Sequence, residues 1–186
     1  MATRNFVLIL TALTQELDAT LLPDHFKIVF TGAGKINAAH VTTLELLANR
    51  PSVVLNYGTA GRIHQEISGL VEVASVVQRD MMTSPLAPRG VVPYDDQAHT
   101  LHSGQSGVRC GTGDSFVTSH DEWFVEKNVD LVDMELFAIA AVCDRMGVPW
   151  RSFKYISDDA NHASSNAWEE NVHRGQGLFL ERLRTL

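Results

Sequence analysis

Cysteine is scarce: Cys110 and Cys143 are the two in 186 residues, and neither has a partner at zinc-ligand spacing. That rules against a disulfide scaffold. Isolated thiols suit a reducing compartment, so the expected location is the cytoplasm. No basic run or Lys/Arg stripe is present, and the net charge is −7. Neither a nucleic acid nor a membrane surface is therefore an expected partner. Long apolar runs are missing too. "FVLILTAL", behind Arg4, is far too short to span a bilayer. The following "TQELDATLLP" offers no small-residue cleavage site, so the run reads as a first buried strand. The eight histidines are scattered without a His-Glu-x-x-His, and His99 and His102 share a loop without a third ligand. No metal is expected on that pattern. No Gly-x-Gly-x-x-Gly follows a strand, which argues against a dinucleotide module.

What is present is an ordinary globular balance, 45% apolar and 20% charged, in a chain of a size for one domain over 1–186. Short Val/Ile/Leu-rich segments read as strands at Phe6–Leu10, Phe26–Phe30, Val53–Asn56, Val71–Gln78, Val108–Gly111 and Ser152–Ile156. Most are continuously apolar, so both faces of the sheet should be covered. Helical patterns occupy Lys35–Ala48, His120–Lys127, Met134–Met146 and Ala167–Leu183. The alternation predicts an α/β fold, a three-layer αβα sandwich with a mixed central sheet. Thr83–Gly107, rich in Pro, Gly, Ser and His, reads as a long surface loop with the composition of a lid.

In open α/β folds the ligand sits beyond the carboxyl ends of the strands. The segments that follow the strands are "TALTQELD", "TGAGK", "NYGTAGRI", "GTGDSFV" and "ISDDAN", which concentrate glycines, hydroxyls and acids. "TGAGK" lacks the spacing of a triphosphate loop and reads as a tight turn with Gly34 at the helix start. "NYGTAGRI" reads as a backbone nest, Gly58 and Gly61 permitting close approach beside the Thr59 hydroxyl. In "LVDMELFAIAAVCDRMGVPW", two acids flank Met134 where a core helix begins. Asp133 suits a helix N-cap. Glu135, Glu16 and Asp158 each admit a plain role at a helix start or a cap. Together they place three carboxylates at strand ends that can share a cleft beside Phe116 and Met134, the surroundings of a polar ring carrying hydroxyls and an aromatic base.

"NYGTAGRI", "GTGDSFV", "VDMELFAIAAVCDRMGVPW" and "YISDDAN" resemble, in order and spacing, the motifs of the nucleoside phosphorylase/nucleosidase superfamily. The nearest likeness is to the 5'-methylthioadenosine/S-adenosylhomocysteine nucleosidases, with their Asn-Thr-Gly-Ser-Ala-Gly-Gly, Gly-Asp-Ala/Ser-Phe, Val-Glu/Asp-Met-Glu and Ile-Ser-Asp patterns. The resemblance implies a shortened version of that family's fold. It also implies hydrolysis of the N-glycosidic bond of a purine nucleoside, no cofactor, and a homodimer. Carried over by position, Glu16 matches the general base and Glu135 the acid on the ribose hydroxyls, with Met134 under the sugar. Asp158 matches the acid at the purine, beside Ser157. Phe116 matches the aromatic stacked on the base, and Val117 its backbone contact. Thr59, Ala60 and Gly61 fall around the attacking water and the base.

Cleaving such a bond builds positive charge on the ribosyl ring and negative charge on the departing purine. Ionised Glu16 would activate water, a protonated Asp158 would donate toward the base, and Glu135 would stabilise the cationic sugar. Phosphorolytic relatives hold phosphate with arginines. Here "LTALTQELD" has none, and an acid at position 16 repels phosphate, so water is the expected acceptor. Two positions depart from the resemblance. Lys154 stands where the family has an arginine near the water, losing bidentate geometry. Ala33 replaces a bulkier residue lining the 5' pocket, leaving room for a different 5'-substituent. A phosphorylase, and a nucleoside-binding protein without turnover, are the alternatives.

Overall fold

The structure, a computed structural model, describes residues 6–23 and 25–186; Arg4 lies outside the described residues. The strands are β1 (Val7–Thr11), β2 (Phe26–Phe30), β3 (Val53–Arg62), β4 (Leu70–Gln78), β5 (Thr100–His102), β6 (Val108–Thr112), β7 (Leu131–Asp133) and β8 (Trp150–Asp158). Helix α1 (Lys35–Ala48) follows β2, α2 (Glu122–Glu126) follows β6, and α3 (Leu136–Met146) follows β7. Helices α4 (Ser164–Asn171) and α5 (Gln176–Leu183) follow β8. No helix among the described residues is long and apolar enough to cross a membrane.

The strands form one mixed sheet. β1 runs parallel to β2 and β3, β3 parallel to β8, and β6 parallel to β4 and β7. The β3–β7, β4–β5 and β4–β8 pairs are antiparallel. The path β3–β7–β6–β4–β8 returns to β3, so this part of the sheet closes on itself and its strands have no free edges. β1 and β2 extend the sheet from β3, and β5 extends it from β4.

Period-two alternation sorts the side chains to two faces. Leu8, Leu10 and Val54 pack with Ala38 and Leu46 of α1 and Ile139 and Cys143 of α3. Ile9, Leu55, Tyr57 and Phe153 meet Phe179 and Leu183 of α5 on the opposite face. A smaller cluster joins Val77, Val132 and Ala160 to Phe124 of α2. The expected αβα layering around a mixed sheet is the one observed.

Four segments differ from the sequence reading, each for a local reason. β3 continues through "YGTAGR" instead of stopping at Asn56, because residues 54–61 pair along β8 and small side chains leave room for the acids beside them. That segment is extended strand, not a nest. β7, three residues long, precedes α3, and the helix therefore starts at Leu136 instead of Met134. β5 lies inside the expected loop Thr83–Gly107 and pairs with β4. The expected helix Ala167–Leu183 is two helices broken before Gly175.

Gly175 sits where the chain crosses the β8 face. A Cβ there would lie 2.4 Å from Tyr155 Cβ and Cγ and 2.7 Å from the Tyr57 hydroxyl. Gly175→Ala therefore overpacks this contact and is expected to cost about 1–3 kcal/mol. Equilibrium urea denaturation checks it; an unchanged midpoint would contradict the packing described.

Candidate active site

Glu16 emerges from the turn after β1. Its Oε2 accepts hydrogen bonds from the Ala12 and Leu13 N–H groups and the Thr11 hydroxyl, each at 3.1 Å. Its Oε1 accepts from the N–H and hydroxyl of Thr59 on β3, both at 2.8 Å. Five donors on two oxygens fix this buried carboxylate, an acceptor on both sides. A Cβ at Gly58 would lie 3.3 Å from both Glu16 Oε1 and Lys154 Nζ, so glycine there lets β3 pass between an acid and a cation.

Glu135 sits in the step from β7 into α3 with φ −127, outside helical geometry. Its Oε1 accepts from the Gly34 N–H at 2.8 Å. Gly34, at φ +90, opens α1 in a left-handed conformation that a side chain would strain. The expected tight turn at "TGAGK" thus delivers an N–H to the acid of another segment. Burial first, and the charge of Asp133 second, push the Glu135 carboxyl up to about 7.

Asp133 is not the N-cap of α3, because the helix starts at Leu136 and Glu135 takes that position without a side-chain capping bond. From two residues upstream, Asp133 Oδ2 still accepts from the Leu136 N–H at 2.9 Å, and its Oδ1 accepts from the Thr112 hydroxyl. Lys154 Nζ lies 2.7 Å from Oδ2, and both side chains are shut off from solvent. Burial alone would raise the Asp133 carboxyl; the Lys154 charge and these hydrogen bonds outweigh it and hold the group below its ordinary value. For Lys154 burial works against the charge, but Asp133 and Glu135 outweigh it and raise the ammonium.

Asp158 ends β8. Its Oδ2 accepts from the Ser157 hydroxyl and its Oδ1 from the Ala160 N–H, each at 2.9 Å. A Cβ on Gly61 would come 2.6 Å from Asp158 Oδ1, so the second glycine of "GTAG" is fixed by the approach of this carboxylate.

Glu16, Glu135 and Asp158 all line one cavity of about 210 Å³. Phe116, Val117, Met134, Ser157, Thr59, Ala60, Gly61 and Ala33 line it as well. Ala33 lies exposed at its rim. Lys154 does not line it; fully buried, it lies under the wall that Asp133 and Glu135 form. The expected contact of Lys154 with the water position is replaced by an ion pair inside the protein. No residue of Thr83–Gly107 borders the cavity, so that segment is no lid in this structure.

Ala12, Leu13, Ser115 and Val132 also line the cavity without having been singled out from the sequence, as do Arg79 and Trp168, whose side chains shape it. Arg79 follows β4 and is buried; its guanidinium donates to the Gly113 carbonyl at 2.9 Å and the Ser115 hydroxyl at 3.1 Å. It braces the loop carrying Phe116. The signal available was an arginine directly after a buried strand. Trp168 of α4 donates its indole N–H to the Thr59 hydroxyl at 2.9 Å and meets Phe116 edge-on, ring centroids 6.5 Å apart. Nothing in its sequence surroundings sets it apart. Among the described lining residues Arg79 is the only cation, against four acids.

Residues 27–185 match the family model described as the phosphorylase superfamily. A 5'-methylthioadenosine/S-adenosylhomocysteine nucleosidase from Staphylococcus epidermidis is 30% identical over 171 residues, covering 79% of this chain and 75% of the relative. Among solved structures, the nucleosidase of the same description from Helicobacter pylori superposes with a TM-score of 0.87 at 22% identity, 97% of each chain being covered. Futalosine hydrolase of Helicobacter pylori superposes at 0.88 with 21% identity, covering 97% of this chain and 96% of its own. With its strand ends, its cavity and these likenesses in agreement, the chain belongs to the phosphorylase superfamily and, within it, to the nucleosidases, enzymes that hydrolyse an N-ribosyl bond.

Proposed function

We propose that this cavity hydrolyses the N-glycosidic bond of a purine nucleoside, an adenine nucleoside with a 5'-substituent such as 5'-methylthioadenosine or S-adenosylhomocysteine. The observation that carries the reading is the meeting of Glu16, Glu135 and Asp158, far apart along the chain, around one hollow beside Phe116 and Met134. In this reading Phe116 stacks on the base with Val117 at its edge, and Met134 packs under the ribose. Glu135 accepts the 2'- and 3'-hydroxyls. Asp158, steadied by Ser157, gives a proton toward the purine as the bond to the anomeric carbon breaks. Glu16 takes a proton from the water that attacks that carbon. Each proton transfer is worth about 10²- to 10⁴-fold, and the surrounding acids stabilise the positive charge on the sugar. The chemistry needs side chains and water alone, in a single domain acting in the cytoplasm.

Water is favoured over phosphate because Arg79, the sole cation among the described lining residues, is engaged with the Gly113 and Ser115 loop. The exposed Ala33 leaves the 5' end open, which supports a substituent beyond a plain hydroxymethyl and brings futalosine, the substrate named for one structural neighbour, into the test panel. The partner is a second copy of this chain: α1 exposes Ile36, Leu44 and Leu47 along one face, apolar area that a homodimer would cover.

Adenosine, 5'-methylthioadenosine, S-adenosylhomocysteine, futalosine and inosine should be incubated with the protein, with and without phosphate, and free base followed by chromatography. Base release independent of phosphate is expected, and Glu16→Gln and Asp158→Asn each lower it about 10²-fold or more. Release that requires phosphate, or near-wild-type rates in both variants, contradicts the assignment.

Glu135 must be ionised to accept two hydroxyls, and its pKa is raised from 4.5 to about 7. Below that value the free protein holds the neutral acid, so kcat/KM is expected to rise with pH through about 7. The rise should vanish in Glu135→Gln. A limb near 7 that persists in that variant assigns the ionisation elsewhere. Sedimentation velocity tests the dimer: Leu44→Glu with Leu47→Glu should shift the protein to monomer, and a monomeric wild type would overturn it.

A further inference from the structure

We propose that Trp168 is a positioning residue for Glu16, acting through the hydroxyl of Thr59. An indole N–H can only donate, so the 2.9 Å contact from Trp168 Nε1 makes Thr59 Oγ1 the acceptor. The hydroxyl has a single hydrogen, and that hydrogen points to Glu16 Oε1 at 2.8 Å. The direction of the chain is therefore set from α4 inward: indole to hydroxyl to carboxylate. Without the indole, the hydroxyl is free to rotate and turn its hydrogen toward the cavity. The Thr59 backbone N–H would still reach Oε1, but one of the two contacts that orient this oxygen would be intermittent.

The arrangement also links base to water. Trp168 packs edge-on to Phe116 and lines the same cavity. A purine seated on Phe116 therefore touches the residue that fixes the hydroxyl beside Glu16. Helix α4 becomes part of the catalytic apparatus although it carries no acid or base used in the reaction. This inference rests on the proposed role of Glu16 for its kinetic arm and on geometry alone for its spectroscopic arm.

Trp168→Phe keeps an aromatic ring against Phe116 and removes the N–H. It should lower kcat roughly three- to tenfold, the worth of one hydrogen bond, with KM little changed. In a Thr59→Val background the same substitution should cost nothing further in kcat, whereas in Thr59→Ser, which keeps the hydroxyl, the loss should return. Equal losses in the valine and serine backgrounds, or a loss confined to KM, would reduce Trp168 to a packing residue and overturn the proposal. Independently, the three tryptophan indoles give separate N–H signals in nitrogen-15 labelled protein, and the one absent from Trp168→Phe belongs to Trp168. That signal should move in Thr59→Val and in Glu16→Gln while the other two stay; a stationary signal overturns the proposal. Should the wild type release no base from any nucleoside, the functional reading fails, and the indole signal still decides the positioning claim.

Discussion

An ion pair without access to water holds this site together. Asp133 ends β7 and Lys154 lies in the middle of β8, two strands that do not pair with each other. Two residues beyond Asp133 the chain presents Glu135; four beyond Lys154 it presents Asp158. The pair thus fixes the distance between the acid assigned to the sugar and the acid assigned to the base. Burying one charge is costly, and the arrangement stands because each charge answers the other and Asp133 also accepts from Thr112 and Leu136. Removing either partner would leave an uncompensated charge under the cavity wall.

The electrostatics of the hollow depend on which charges are neutralised. Lys154 balances Asp133 and leaves the other acids to act on whatever enters. Glu16 is oriented by five donors and Glu135 by one, so the first is rigid and the second has capacity for a ligand's hydroxyls. A surplus of acids over cations suits a sugar passing through a positively charged state and disfavours an anionic nucleophile. Burial first raises Glu135, and the same surplus adds to it, because its acidic neighbours resist a further negative charge.

Much of this was legible before any coordinates. The continuously apolar strands announced a sheet covered on both faces, and α1 begins and ends where its pattern does. The three acids stand out in the sequence because each lies at or just past the end of an apolar segment, and strand ends are where a sheet presents ligands. The features that stayed hidden depend on contacts between distant segments. "NYGTAGR" has glycines that look like a loop, and only the approach of Glu16, Lys154 and Asp158 to Gly58 and Gly61 explains why a strand needs them. β7 was too short to show a pattern and borrows its conformation from β3 and β6. Lys154 has the composition of a surface residue; its burial requires Asp133, far upstream. Trp168 and Arg79 act through two hydroxyls and a carbonyl that sequence proximity does not reveal.

The central claim is that Glu16, Glu135 and Asp158 surround a single sugar–base linkage. The most direct measurement is a crystal structure of Glu16→Gln holding an intact 5'-methylthioadenosine. The account places the ribose hydroxyls within hydrogen-bond reach of Glu135, the purine between Phe116 and Asp158, and the anomeric carbon facing position 16. A nucleoside bound elsewhere, or seated here with its sugar turned away from Glu135, would contradict it.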